Sequence, residues 1–337
     1  MRLFCVIAMV LGLCESIAGA QWQRQTISSN VDLRGLCAVS AKVAWASGTK
    51  GTFARTIDGG DTWLVRTVPG AEKLDFRDVE AFGADTAYLM SAGPGDASRI
   101  YKTTDAGKTW ILQFKNPERE GFLDAIAFWD ASNGIGLGDP VKGRFQLIVT
   151  DDGGVTWKQL AASDLPAALP HEGAFAASGT CLVTHGESDV WFCTGGARMA
   201  RVLHSHDRGR HWTVTNTPIR AGIDSAGIFS LAFRDGKHGI IVGGDYRKPD
   251  DSGANAAVTS DGGRTWSLIG RVLPYRSCVA WAPDRWIAVG TSGSDYSLDD
   301  GITWKPLDRK NYNSVAFTRG GEGWAVGPGG RIAKFLR

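Results

Sequence analysis

One octet governs what this chain can fold into. A hydroxyl residue is followed by any residue, Asp, any residue, Gly, any residue, usually Thr, and then Trp. It runs as TIDGGDTW (56–63), TTDAGKTW (103–110), TDDGGVTW (150–157), SHDRGRHW (205–212), TSDGGRTW (259–266) and SLDDGITW (297–304). Its acids are Asp58, Asp105, Asp152, Asp207, Asp261 and Asp299, spaced 47, 47, 55, 54 and 38 residues apart. Such periods fit one four-stranded propeller blade per repeat. The residue types explain themselves. Asp early in a turn accepts bonds from backbone N–H groups two and three residues on. Gly supplies a positive φ without steric cost. Trp buries a large ring that anchors the hairpin. Acids repeated in every blade read as architecture. They lack the spacing of a calcium loop, and no metal is expected on them.

A second element precedes each octet: an apolar strand ending in Gly. It reads VAWASG (to Gly48), AYLMSAG (Gly93), GIGLG (Gly138), VWFCTG (Gly195), GIIVG (Gly243), WIAVG (Gly290) and GWAVG (Gly327). There are seven such strands against six octets. After Gly327 the chain runs PGGRIAKFLR and stops one strand short of a blade, while QWQRQTIS at 21–28 resembles the strands that follow each octet. Trp22 then stands where the octet Trp would. The expectation is an all-β, seven-bladed β-propeller whose N-terminal strand completes the last blade, a Velcro closure that leaves no exposed sheet edge. The pattern uses residues 21–337 as a single domain. The two longest departures, Ala161 to Phe175 and Asp245 to Asn255, read as surface loops.

Residues 1–20 read as a signal peptide. Arg2 supplies the positive start, Leu3 to Leu13 the apolar stretch, and Ala18-Gly19-Ala20 the small-residue cleavage site. The chain is therefore expected to be exported, periplasmic or extracellular, without a transmembrane segment. Cleavage leaves Cys37, Cys181, Cys193 and Cys278. Cys181 and Cys193 flank THGESD, which reads as a hairpin, so they can face each other in a disulfide or remain buried thiols. The cysteine spacings match no zinc pattern. With 37 basic against 35 acidic residues, charge does not favour a nucleic-acid partner.

The octets are the Asp-box turns of the bacterial neuraminidase repeat. Together with the WAVG-type strands, GTKGTFARTIDGGDTW and GIFSLAFRDGKHGIIVGGDY, they resemble the photosystem II stability/assembly-factor family and its bacterial relatives. The resemblance covers roughly residues 21 to 337. It implies a non-catalytic propeller that binds protein during assembly of a membrane complex. Sialidases, sortilin-type receptors and some exported glucanases share the Asp box, so the motif alone selects no function. Related propellers also imply that ligands bind at one mouth of the central channel, opposite the boxes. The loops entering the inner strands and those joining second to third strands line that mouth.

Aligned inner strands place Arg34, Arg77 and Arg276 in one register, in blades one, two and six. Leu123, Ile228 and Tyr312 occupy that register elsewhere. Blade seven lies between six and one, so the three arginines share one sector. Converging guanidiniums make a site for carboxylate or phosphate; pairing with acids such as Asp78 is the other outcome. Lys50, Asp139, Glu172, Asp245, Tyr246, Asp295 and Tyr296 are further mouth candidates. A carboxylate with Tyr, as at Asp245-Tyr246, or Glu172 beside His171, would suit glycoside hydrolysis, although no sialidase signature around an N-terminal Arg is present. No nucleophile elbow, P-loop or dinucleotide fingerprint occurs, and no cofactor is expected. The leading expectation is a monomeric binding scaffold for a protein or anionic ligand. The alternative is an Asp-box glycoside hydrolase or carbohydrate-binding protein.

Overall fold

The computed structural model describes residues 21–337 except 162, 163, 166, 271 and 272. Residues 1–20, the expected signal peptide, with Cys5 and Cys14, lie outside the described residues. Seven four-stranded antiparallel sheets follow one another along the chain. Their inner strands are Leu33–Ala38, Asp75–Ala81, Leu123–Phe128, Leu182–His185, Ala226–Phe233, Cys278–Ala282 and Ser314–Phe317. Each inner strand packs against the next, and the seventh packs against the first, closing a seven-bladed propeller. No helix among the described residues is long and apolar enough to cross a membrane.

The closure is as expected. Gln21–Gln25 pairs antiparallel with Arg331–Leu336, with Trp22 opposite Phe335, and forms the outer strand of blade seven. The Trp22 ring lies 5.2 Å from Phe335 and 5.6 Å from Tyr312, and its Nε1 donates to Ser294 Oγ of blade six at 3.1 Å.

All six octets fold alike. In the first, Thr56 Oγ1 donates to Asp58 Oδ1 at 2.8 Å and accepts from the Gly60 amide at 2.8 Å. Asp58 accepts the Thr62 amide at 3.0 Å and the Thr62 hydroxyl at 2.5 Å. The carboxylate thus reaches four residues on, and in blade four it also accepts the Arg210 amide three residues on at 3.0 Å, while the leading hydroxyl takes the amide two residues beyond the Asp. In blade four His211 replaces Thr and bonds Asp207 through its ring at 2.5 Å. Between blades lie apolar layers carrying the second-strand tryptophans, Trp45, Trp191, Trp286 and Trp324 among them, each essentially excluded from solvent. The glycine ending the second strand has a fixed reason. A Cβ on Gly48 would sit 2.4 Å from Asp32 O, and one on Gly243 1.9 Å from Gly227 O. At this point the second strand meets the backbone of the inner strand.

Candidate binding site at the channel mouth

Where the inner strands begin, four of them carry a bulge or register break: at Leu33/Leu36, Phe76/Asp78, Leu123/Ala125 and Ile228/Ser230. A bulge leaves a residue unpaired and re-aims its side chain. The residues inside these breaks include Arg34, Arg77, Asp124 and Phe229. All four line one cavity of about 500 Å³, together with Tyr246, Tyr275, Ser277 and Asn313. Counted back from the second-strand glycines, Ser277 and Asn313 are the equivalents of Arg34 in blades six and seven.

The expected triad of arginines is therefore corrected. Gly290 meets the backbone of Tyr275 and Arg276 as Gly48 meets that of Asp32 and Leu33, so Arg276 falls one register position before Arg34. It points into the protein. Its Nε donates to Asp295 Oδ2 at 2.8 Å, its Nη2 reaches the same oxygen, and Nη1 bonds Tyr275 O at 2.9 Å and Ser292 Oγ at 3.1 Å. Arg276 and Asp295 neutralise each other out of solvent. Neither belongs to the mouth.

Arg34 and Arg77 do converge. Arg77 donates to Asp75 Oδ2 at 2.6 Å and to Ala176 O at 2.9 Å. Arg34 has a buried Nε without a hydrogen-bond partner among the described residues. Burial, then the Arg77 charge, pull the Arg34 guanidinium below its ordinary pKa, against the pull of Asp75 and Asp32. Aromatic rings form a further part of the lining. Phe175 stacks on Phe229 at 3.9 Å, and Tyr275 meets Phe229 edge-on at 4.9 Å. Two acids complete the lining. Burial raises Asp139 to about 6, although its Oδ1 accepts the Ala174 amide at 3.0 Å. Burial, with Asp139 adding to it, drives Asp124 well above the carboxylate range, against the opposing pull of the Ala176 amide and the Arg77 charge.

The loop before blade four does not stay on the surface. Beyond Gly173 the chain turns into the channel. Ala176 O accepts from Arg77 of blade two, Ser178 Oγ donates to Ser277 O of blade six at 3.0 Å, and Thr180 Oγ1 bonds Ser230 Oγ of blade five at 2.6 Å. A segment touching blades two, five and six lies across the channel and floors the cavity. Gly179 allows the passage: φ is +79°, and a Cβ there would lie 2.0 Å from the Asp78 carboxylate. Asp78 is buried against it and raised to about 7 by that burial.

The remaining candidates lie apart from the cavity, except Tyr246, which lines it. Lys50 is exposed on the turn between second and third strands of blade one. Glu172 is sealed in the protein against Arg201, with Oε1 accepting from Arg201 Nε and Thr194 Oγ1, both at 2.7 Å. His171, at φ +62°, is exposed, so the two form no acid/base pair. Asp245 is buried and caps the Arg247 amide at 3.0 Å. Tyr296 is half-buried and packs between blades. Cys181 and Cys193 sit opposite each other, the Cys193 amide bonding Cys181 O at 2.9 Å, yet both are free thiols. The Cys193 thiol turns to Ile228 O at 3.7 Å instead of to its neighbour. Sequence reasoning missed Asp124, Phe229, Tyr275 and the crossing segment. Alignment on the second-strand glycines, rather than on the arginines, would have found the first two.

No protein-family model matches the chain. It is 24% identical to the photosystem II assembly protein Ycf48 of a Synechococcus strain, over 74% of this chain and 80% of that one. It is 26% identical to the chloroplastic photosystem II stability/assembly factor HCF136 of Cyanidioschyzon merolae, over 96% of this chain and 76% of that one. A solved structure of YCF48 bound to D1 peptide superposes with a TM-score of 0.66 at 17% identity, covering 94% of this chain and 97% of that one. The chain is thus a seven-bladed propeller that resembles photosystem II stability/assembly factors over nearly the whole ring.

Proposed function

We propose that this chain is an exported, non-catalytic scaffold that binds a protein partner and takes an anionic group of that partner at the channel mouth. One observation carries the reading: Arg34 presents a buried, unpartnered Nε beside Arg77 in a cavity walled by aromatic rings. An unmade hydrogen bond at a buried polar group costs about 1–3 kcal/mol, which an incoming carboxylate relieves. The rings that share the cavity lining give the flanking residues of such a ligand an apolar surface. The similarity to proteins named as assembly factors, one solved with a bound peptide, supports a protein rather than a small anion as the ligand. The test is an array of acidic peptides with free and amidated C-termini. Arg34→Ala and Arg77→Ala should each weaken capture at least tenfold. Unchanged capture by both variants would sink the reading.

Asp124 and Asp139 favour a second reading. Two cavity acids held above the carboxylate range are the raw material of glycoside hydrolysis. Turnover of a fluorogenic glycoside panel that disappears in Asp139→Asn would replace the scaffold with an enzyme.

A further inference from the structure

The turn octet of blade four differs from the other five in its second position. There the repeat places an outward side chain: Ile57 in blade one and Leu298 in blade six, both exposed. Blade four has His206, two residues after His204. His204 lies in the strand Arg201–Ser205 and His206 just past its end, and their rings lie 4.0 Å apart. Across the sheet, Val190 pairs with Ser205, so Asp189 stands at the same level as His206. Its Oδ1 meets both imidazoles, His204 Nε2 at 2.9 Å and His206 Nδ1 at 2.7 Å. The three donor atoms all lie within 4.8 Å of one another. With bonds of about 2.0–2.2 Å, donors in a tetrahedral zinc site sit roughly 3.3 Å apart. Small side-chain rotations convert one arrangement into the other.

The scaffold behind the cluster is rigid where it needs to be. His204 is buried and stacks on Trp191 at 4.2 Å with planes 12° apart. Trp191 is itself pinned by Nε1 donating to Gly262 O at 2.9 Å and by Phe233 stacked at 4.2 Å on it. His206 is exposed and leaves the outer side of the cluster open to water.

We propose that Asp189, His204 and His206 form a binding site for a divalent late transition-metal ion, Zn²⁺ foremost, with water completing its shell. Two imidazoles and one carboxylate suit Zn²⁺, Cu²⁺ or Ni²⁺ and disfavour Ca²⁺ and Mg²⁺, which take oxygen donors. The ion would tie the turn octet of blade four to the facing strand, on residues separate from those of the mouth. The cysteine spacing carried no hint of it, because the site rests on one His-x-His pair and the register of the strand opposite.

The experiment is calorimetric titration of untagged, chelator-treated protein with ZnCl₂, and with CaCl₂ as the oxygen-seeking control. One equivalent of Zn²⁺ should bind, and Ca²⁺ should not. His206→Ala, changing an exposed side chain, should weaken Zn²⁺ binding at least tenfold, and Asp189→Asn likewise. His211→Ala, an exposed histidine outside the cluster, should leave it unchanged. A Zn²⁺-dependent rise in melting temperature should vanish with His206→Ala, whose fold circular dichroism verifies. No stoichiometric binding, or equal binding by the wild type and His206→Ala, overturns the proposal.

Discussion

Anion binding at the mouth should strengthen as pH falls from 7.5 to 5.5, and Asp139 sets the slope. Burial holds this carboxyl at about 6, so it is mostly ionised at 7.5 and mostly neutral at 5.5. Asp124 is pushed well above the carboxylate range, and Asp78, held at about 7, sits beneath the crossing segment rather than on the lining, which leaves Asp139 as the wall carboxyl that titrates in this window. A cavity of about 500 Å³ places a bound anion roughly 8 Å from a group on the wall. At an effective dielectric constant of about 20, two like charges at that distance repel by about 2 kcal/mol. Salt with a Debye length of about 8 Å leaves about 1–2 kcal/mol, since partly buried charges are screened less. The peptide should therefore bind roughly 5- to 30-fold more tightly at pH 5.5. The ligand carboxylates, with ordinary pKa values near 4, keep their charge throughout. Fluorescence anisotropy with the best acidic peptide from the array, at four pH values and fixed salt, reads the profile. Asp139→Asn should flatten it and raise affinity at pH 7.5. A wild-type profile that is flat or rises with pH refutes the reasoning, as does a slope that survives Asp139→Asn.

Arg276→Met should destabilise the protein by about 3–5 kcal/mol, because it strands Asp295 as an unpaired buried charge; Arg276→Met with Asp295→Leu should recover most of that loss in urea unfolding. Trp22→Ala removes the ring that packs on Phe335 and Tyr312 and bonds Ser294. For a half-buried Trp the cost is about 2–3 kcal/mol, and a loss below about 1 kcal/mol would mean the closure does not depend on it. The Thr62, Thr109 and Thr156 hydroxyls and amides hold Asp58, Asp105 and Asp152 at about 2. A depressed carboxylate contributes stability that is complete above its unfolded pKa of about 3.9 and lost as pH falls through the folded value. The melting temperature should therefore fall between pH 4 and pH 2, and less steeply in Asp58→Asn.

The ring was legible because its signals are local and repeated. Octet, apolar strand and terminal glycine each recur at blade spacing, and Trp22 in place of an absent octet disclosed the closure. The mouth was only half legible, for a geometric reason. The bulges that aim Arg34, Arg77, Asp124 and Phe229 inward each shift the register by a residue, and an alignment drawn by eye on arginines cannot detect a shift of one. Arg276 looked equivalent and was not, and Asp124 looked like the neighbour of a core Leu. The crossing segment was illegible because AFAASGT has no period. Its course is set by bonds to blades two, five and six, far away in sequence.

That segment gives the molecule a topological property. A propeller with a clear bore has two doors, and a chain can thread it. Here residues 174–180 shut the bore, so whatever enters at Arg34 must leave the way it came. A cup of this kind would favour a chain end or the tip of a tight loop over the middle of an extended strand. The partner proposed above would then be gripped by an extremity, with the rest of its length outside the ring.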